Sequence, residues 1–238
     1  MPKMKKVERM TVTMRIIHWV TVLSMIIAVA TGLYIGHPYY STLITDPAVD
    51  KYVMAWNRWW HFIVAIIFDV TAILIGYLYF FSRFEKPYKK LIPNKKNIIE
   101  FWEVFLNLIT FNRRKKFDSS HSDSYNIVFF TVFHFLLILM LFTGLQLYVH
   151  ALASGDSSIG AWWPAMLHLV TDWTLYVFGG NMGVRYVHHL TMYFILAWVM
   201  CHIYYQIWRT IFWQEGDISI VVGGSKFVKD ESSKKEEN

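Results

Sequence analysis

Four runs of roughly twenty or more apolar residues constrain this chain before anything else, since a helix needs about twenty such residues to cross the ~30 Å hydrocarbon layer of a bilayer. They cover about residues 15–36, 53–81, 125–149 and 184–212. Each run predicts a transmembrane helix, because backbone inside lipid has to satisfy its own hydrogen bonds. With 55% hydrophobic and only 17% charged residues in a chain of 238, the polar remainder is too small for an extramembrane catalytic domain. The short basic start, residues 1–9, could introduce a secretory signal, but the run behind it is long enough to span and no convincing small-residue cleavage site follows. It therefore reads as the first membrane helix.

A fifth stretch, Ala161 to Phe178, is apolar but interrupted by Pro164, His168 and Asp172. Charge decides against its crossing. Residues 1–15 hold five Lys/Arg, residues 82–125 ten and residues 209–238 five, which leaves only Lys51, Arg58 and Arg185 elsewhere. Basic segments favour the cytoplasm, and placing all three there requires an even number of crossings between each consecutive pair. Four helices meet that condition and five do not. The stretch with Trp162, Trp163 and Trp173 is then an interfacial segment on the periplasmic side, where tryptophan is favoured. Ile98 to Phe111, too apolar for a solvated linker and too short to span, predicts a short helix on the cytoplasmic membrane surface between the basic runs Lys95-Lys96 and Arg113 to Lys116. Those runs suit anionic lipid heads rather than nucleic acid. The expected fold class is thus an all-α membrane protein, a bundle of four transmembrane helices forming one domain over residues 1–215. Residues 216–238 form a cytoplasmic tail, disordered at its end.

A lone Cys201 excludes intrachain disulfides, cysteine-rich zinc sites and cysteine-ligated iron–sulfur clusters, and no Cys-x-x-Cys-His run is present for covalent c-type haem. Ten histidines stand beside that single cysteine. His18, His61, His134, His188, His189 and His202 fall in or next to the predicted helices, where an ionisable group marks a functional site by default. His37, His121, His150 and His168 fall in loops or at interfaces and have structural readings.

Helical phase sorts the first group. Fourteen residues turn through about 1400°, close to four full turns, so His188 and His202 share one face of the last helix, roughly 21 Å apart along its axis. His189 points nearly opposite to His202 and reads as a helix-surface or supporting residue. By depth, His18 and His202 lie toward the cytoplasmic surface, His61 and His188 toward the outer one. Two imidazoles from facing helices at one level form a bis-axial cage for noncovalent haem, whereas zinc or copper would need three or more ligands at one depth. Di-iron chemistry would need intramembrane carboxylates, and only Asp69 is placed to supply one.

An arginine precedes three of these histidines by three residues, at Arg15, Arg58 and Arg185, which sets a cation beside each ligand as haem propionates require. Gly32 lies fourteen residues after His18, on the same face at the depth of the other haem, where a porphyrin needs a small residue. Gly76 and Gly144 are similar candidates for haem packing, the latter in a Thr143-Gly144-Leu145 segment that echoes Thr31-Gly32-Leu33. His134 matches neither pair in depth and reads as a packing or hydrogen-bonding residue. A transporter with proton-coupling histidines is a distant alternative, disfavoured because no internal inverted repeat is apparent.

Taken together, Arg15-Ile-Ile-His18-Trp19, Arg58-Trp-Trp-His61-Phe62, Arg185-Tyr-Val-His188-His189-Leu190, Cys201-His202-Ile203-Tyr204 and Thr31 to Gly36 give a pattern that resembles the di-haem cytochrome b subunits of membrane-bound nickel–iron hydrogenases, relatives of the formate dehydrogenase cytochrome b subunits. The resemblance covers about residues 10–215. It implies haem ligation by His18 with His202 (inner) and by His61 with His188 (outer), the pairing that depth and phase also predict. It further implies electron transfer from the iron–sulfur small subunit and nickel–iron large subunit of a periplasmic hydrogenase to menaquinone or ubiquinone. The chain itself would be non-catalytic for hydrogen. Its quinone would bind near His18, His202 and Tyr205, under the Ile98 to Phe111 helix. The implied location is the bacterial inner membrane, with both termini cytoplasmic. A formate dehydrogenase or another periplasmic oxidoreductase is the nearest alternative partner, and a stand-alone b561-type cytochrome is disfavoured by the long loop from Ser82 to Tyr125.

Overall fold

The computed structural model describes residues 4–40, 52–81, 93–112, 114–115, 117, 119–152, 157, 160–213 and 218–229. Among these, the order of elements is β1 (Met4–Glu8), α1 (Val12–Gly36), α2 (Val53–Phe81), α3 (Lys95–Ile109), α4 (Ser119–Ala151), α5 (Trp162–Thr171), α6 (Trp173–Phe178), α7 (Asn181–Ile211), α8 (Ile218–Gly223) and β2 (Ser225–Lys229). The protein is an all-α membrane protein in which α1, α2, α4 and α7 are long and apolar enough to cross a bilayer. Few of their side chains are buried, and many apolar ones are exposed, Ile16, Leu23 and Ile26 among them, as lipid-facing surfaces require. At 10 and 6 residues, α5 and α6 are each far too short to span.

The chain forms two compact units, residues 1–127 with 200–238, and residues 128–199. In the first, α1 packs along α2, and the Thr21 and Thr71 hydroxyl oxygens stand 3.0 Å apart across the pair. An Asn94/Asn97 capping box sets the start of α3, each side chain accepting from the other's backbone N–H at 2.9 and 3.0 Å. The helix stops where Phe111 adopts φ +52° and Asn112 N–H folds back onto the Asn107 carbonyl. Val104 and Leu108 are buried inward, whereas Ile99, Trp102, Leu106 and Ile109, at helical spacing, form an exposed apolar stripe. That stripe is the geometry of a helix lying on a membrane surface.

Also in this unit, β1 and β2 pair antiparallel, Met4 opposite Lys229 through Glu8 opposite Ser225. Neither strand is apparent in the hydropathy pattern, and part of the stretch expected as tail is therefore ordered as α8 and β2. Residues 231–238, expected to be disordered, lie outside the described residues. Arg15 and Trp19, one turn apart on α1, donate to the Val222 and Val221 carbonyls at 2.8 and 3.0 Å and so tie α1 to α8.

The second unit is centred on Trp198 of α7, whose ring stacks on Phe129 and Phe133 of α4 with centroids 4.6 and 3.9 Å away. Its indole N–H donates to the Phe129 carbonyl at 2.9 Å. Between α6 and α7 the chain turns through Gly179 and Gly180, both with positive φ, a conformation that costs a side-chain-bearing residue energy and glycine none.

Candidate functional site

Each of the expected ligands stands on a membrane helix: His18 on α1, His61 on α2, and His188 and His202 on α7. His18 and His202 belong to the first unit, within electrostatic reach of one another. The Nδ1 atom of His18 is buried and meets no hydrogen-bond partner among the described residues. His18 also meets the edge of Trp19 at 5.5 Å.

The other two histidines are held by threonines, one in each unit. His61 Nδ1 lies 3.0 Å from the Thr31 hydroxyl and 3.0 Å from the Ala28 carbonyl, both on α1. His188 Nδ1 lies 2.9 Å from the Thr143 hydroxyl on α4. A hydroxyl has one proton, and both threonines spend it on their own helix: Thr31 on the Ile27 carbonyl and Thr143 on the Leu139 carbonyl, each at 2.7 Å. The hydroxyl oxygens therefore accept from Nδ1–H. In a neutral ring the proton then sits on Nδ1 and the lone pair on Nε2, a nitrogen of the kind that binds metals.

Among the described residues no group of three or more His, Cys, Asp or Glu side chains could hold a metal ion. Imidazoles with Nδ1 committed, at His61 and His188, or buried, at His18, suit single bonds from separate helices to a metal cofactor rather than a site that gathers three or more ligands. They do not fit a zinc cluster.

The remaining predicted residues are placed as follows. Arg58 and Arg185 are exposed on α2 and α7, while Arg15 is half-buried and engaged with Val222. Gly32 is half-buried in α1; the surroundings of Gly76 in α2 lie outside the described residues. At Gly144 a Cβ would stand 3.2 Å from Cε1 and 3.8 Å from Nδ1 of His188, so the missing side chain makes room for that imidazole. Tyr205 is fully buried, its ring 4.1 Å from that of Tyr125 and 5.3 Å from the Arg209 guanidinium. His134 Nδ1 sits 2.6 Å from the Phe130 carbonyl of its own helix, a local bond of the kind expected for a packing histidine. Asp69 and His189 are half-buried in α2 and α7.

Two features escaped the residue-by-residue reading. One is the pair of threonine hydroxyls, whose only trace in the sequence is the Thr-Gly-Leu echo. The other is a polar cluster where α3 meets the start of α4: the Ser124 hydroxyl donates to Glu100 at 2.5 Å and accepts from the Asn97 amide at 2.9 Å. The Ser124 bond holds the Glu100 carboxyl below the usual carboxylate range, against the opposing effect of burial and with help from Lys96 and His121. Lys96 pairs with Glu100 at 3.5 Å.

Comparison with known proteins places this geometry in a family context. A protein of Azotobacter chroococcum named "Probable Ni/Fe-hydrogenase B-type cytochrome subunit" is 28% identical over 222 residues, covering 92% of this chain and 87% of that protein. A like-named protein of Cupriavidus necator is 24% identical, covering 91% of this chain and 85% of its own length. An Escherichia coli K12 protein named "Probable Ni/Fe-hydrogenase 1 B-type cytochrome subunit" is 26% identical, with coverages of 90% and 88%. The pattern that defines the prokaryotic cytochrome b561 family matches residues 9–224, all four crossing helices and the four histidines included, and the chain belongs to that family.

Proposed function

We propose that this chain is the membrane-anchoring cytochrome b subunit of a nickel–iron hydrogenase, carrying electrons from a periplasmic hydrogenase through two noncovalent haem b groups to the quinone pool. The observation that carries the reading is the condition of three of the histidines: His61 and His188 give Nδ1–H to threonines, which puts the ring lone pair on Nε2, and His18 keeps a buried Nδ1. Matched depth and helical phase support the ligand pairs His18 with His202 and His61 with His188. The names of the relatives support the hydrogenase as partner.

Haem b, when bound, supplies reversible one-electron chemistry. The residues of the chain hold and orient the ligand rings, exclude water with the surrounding apolar side chains, and offer cations at Arg15, Arg58 and Arg185 for carboxylates at the membrane edges. The hydrogen chemistry itself belongs to the small and large hydrogenase subunits. Menaquinone or ubiquinone is reduced on the cytoplasmic side near His18, His202 and Tyr205, in an inner-membrane protein with both termini in the cytoplasm.

Pyridine haemochrome analysis of the purified full chain tests the cofactor and is expected to give two haems per polypeptide. A folded, haem-free chain from haem-replete cells would reject the reading. For the partner, co-purification of a nickel-containing subunit and hydrogen-driven reduction of both haems are expected. Reduction by formate through a different co-purifying enzyme would replace hydrogenase with formate dehydrogenase.

A further inference from the structure

We infer that Thr31 and Thr143 are positioning residues for the outer haem, fixing the tautomer and the donor strength of the two imidazoles that ligate it; this rests on the haem assignment proposed above. Threonines are common in these helices, and bonding backward to their own turn is their ordinary state. Thr191 donates to the Val187 carbonyl in that way, and Thr210 donates to the Gln206 carbonyl while accepting from the Ile218 N–H. Thr31 and Thr143 make the same backward bond and then use the oxygen a second time, on a histidine from another helix. Both are buried, at 8% and 0% exposure, so water does not compete for those bonds.

The two sites are built alike although they lie on different helices. Each threonine opens a Thr-Gly-Leu segment, each meets Nδ1 rather than Nε2, and each contact is 2.9–3.0 Å. At the second site the following glycine also clears space for the ring it serves. Coincidence accounts poorly for two such arrangements on just the two histidines assigned to one haem. An acceptor on Nδ1–H gives an imidazole partial imidazolate character, which strengthens Nε2 as a donor and favours the ferric over the ferrous state. The threonines therefore lower the potential of the outer haem and keep its ligand rings from turning.

The test uses the full-length haem-loaded protein in detergent, with Thr31→Val, Thr143→Val and the corresponding serine variants. Readouts are redox titration of each haem, low-temperature electron paramagnetic resonance and haem content. Each valine variant is expected to raise the outer haem's potential by about 59 mV, corresponding to a roughly tenfold change in the ratio of ferric to ferrous binding, while the inner haem stays put. Serine, which retains the acceptor, is expected to restore the wild-type value. Selective loss of the outer haem in the valine variants would also support the inference. It is overturned if both potentials are unchanged in both valine variants, if the two haems shift equally, or if both haems are lost. His61→Ala and His188→Ala separate the two levels of the argument. If they retain both haems, the ligand assignment has failed; if each loses one haem while the valine variants behave as wild type, only the role of the threonines has failed.

Discussion

Gly144→Ala is a small perturbation with a calculable conflict. The added methyl would stand 3.2 Å from His188 Cε1 and 3.8 Å from Nδ1, the first inside the ~3.5–4.0 Å at which carbon atoms ordinarily rest. The ring would have to give by a few tenths of an ångström, yet its Nδ1 is tied at 2.9 Å to Thr143, the residue next to the substitution. Overpacking of this kind costs about 1–3 kcal/mol. Replacing a mid-helix glycine by alanine returns roughly 1 kcal/mol of helix propensity. The net expectation is about 1 kcal/mol of destabilisation, a roughly fivefold shift in the ratio of seated to displaced ring. The sharper expectation concerns coupling. In a Thr143→Val background the ring is no longer tied and can tilt away from the methyl, so the alanine penalty shrinks. Contacting residues show coupling energies of about 0.5–3 kcal/mol, within reach of a double-mutant cycle. Thermal unfolding and haem retention, measured on wild type, both single variants and the double variant, supply the four corners. If Gly144→Ala is stabilising by the full propensity gain, or costs the same with and without the Thr143 hydroxyl, the close packing of Gly144, Thr143 and His188 does not constrain the ring.

Two further outcomes follow from the first unit. Gly224→Ala places a Cβ 2.8 Å from the Met10 carbonyl at a position with φ +76°, a strain of about 1–3 kcal/mol, and is expected to speed hydrogen exchange in β1 and β2 while leaving the middle of α1 protected; unchanged exchange in the two strands would show that the strands do not depend on this turn. Glu100 is held below the usual carboxylate range by the Ser124 hydroxyl, so its stabilisation of α3 is complete above the ordinary carboxylate pKa of about 4.3 and is lost as pH falls through the lower value of the folded state. Glu100→Gln should lower thermal stability at neutral pH and flatten its fall on acidification; parallel acid limbs for variant and wild type would rule this out.

The legible and illegible parts of the molecule differ in what stabilises them. The crossing helices could be located because lipid imposes a length and an apolar composition on each, and the predicted boundaries at 36, 53 and 81 coincide with the ends of α1 and α2. Where hydropathy loses its grip the edges drift. α4 begins at Ser119 rather than 125 because its first turns are polar, and α3 begins at Lys95 rather than Ile98 because a capping box, not an apolar residue, starts it. The pairing of β1 with β2 joins residues more than two hundred positions apart, and no local periodicity records such a contact. At the candidate site the four histidines stand on the helices expected for them, because hydropathy fixes which residues lie in a helix and helix geometry fixes their phase. The hydroxyls that hold them were hidden for a physical reason. A membrane-helix threonine satisfies its donor on its own backbone, so its sequence neighbourhood looks the same whether or not the oxygen serves a second partner. Only the distance from Thr31 to His61 and from Thr143 to His188 separates the two cases. The Thr-Gly-Leu echo therefore gains meaning only with the second helix in place: the glycine that the echo suggested for porphyrin packing lies, at Gly144, against the imidazole, and the residue before it makes the bond that sets which nitrogen of His188 carries the proton.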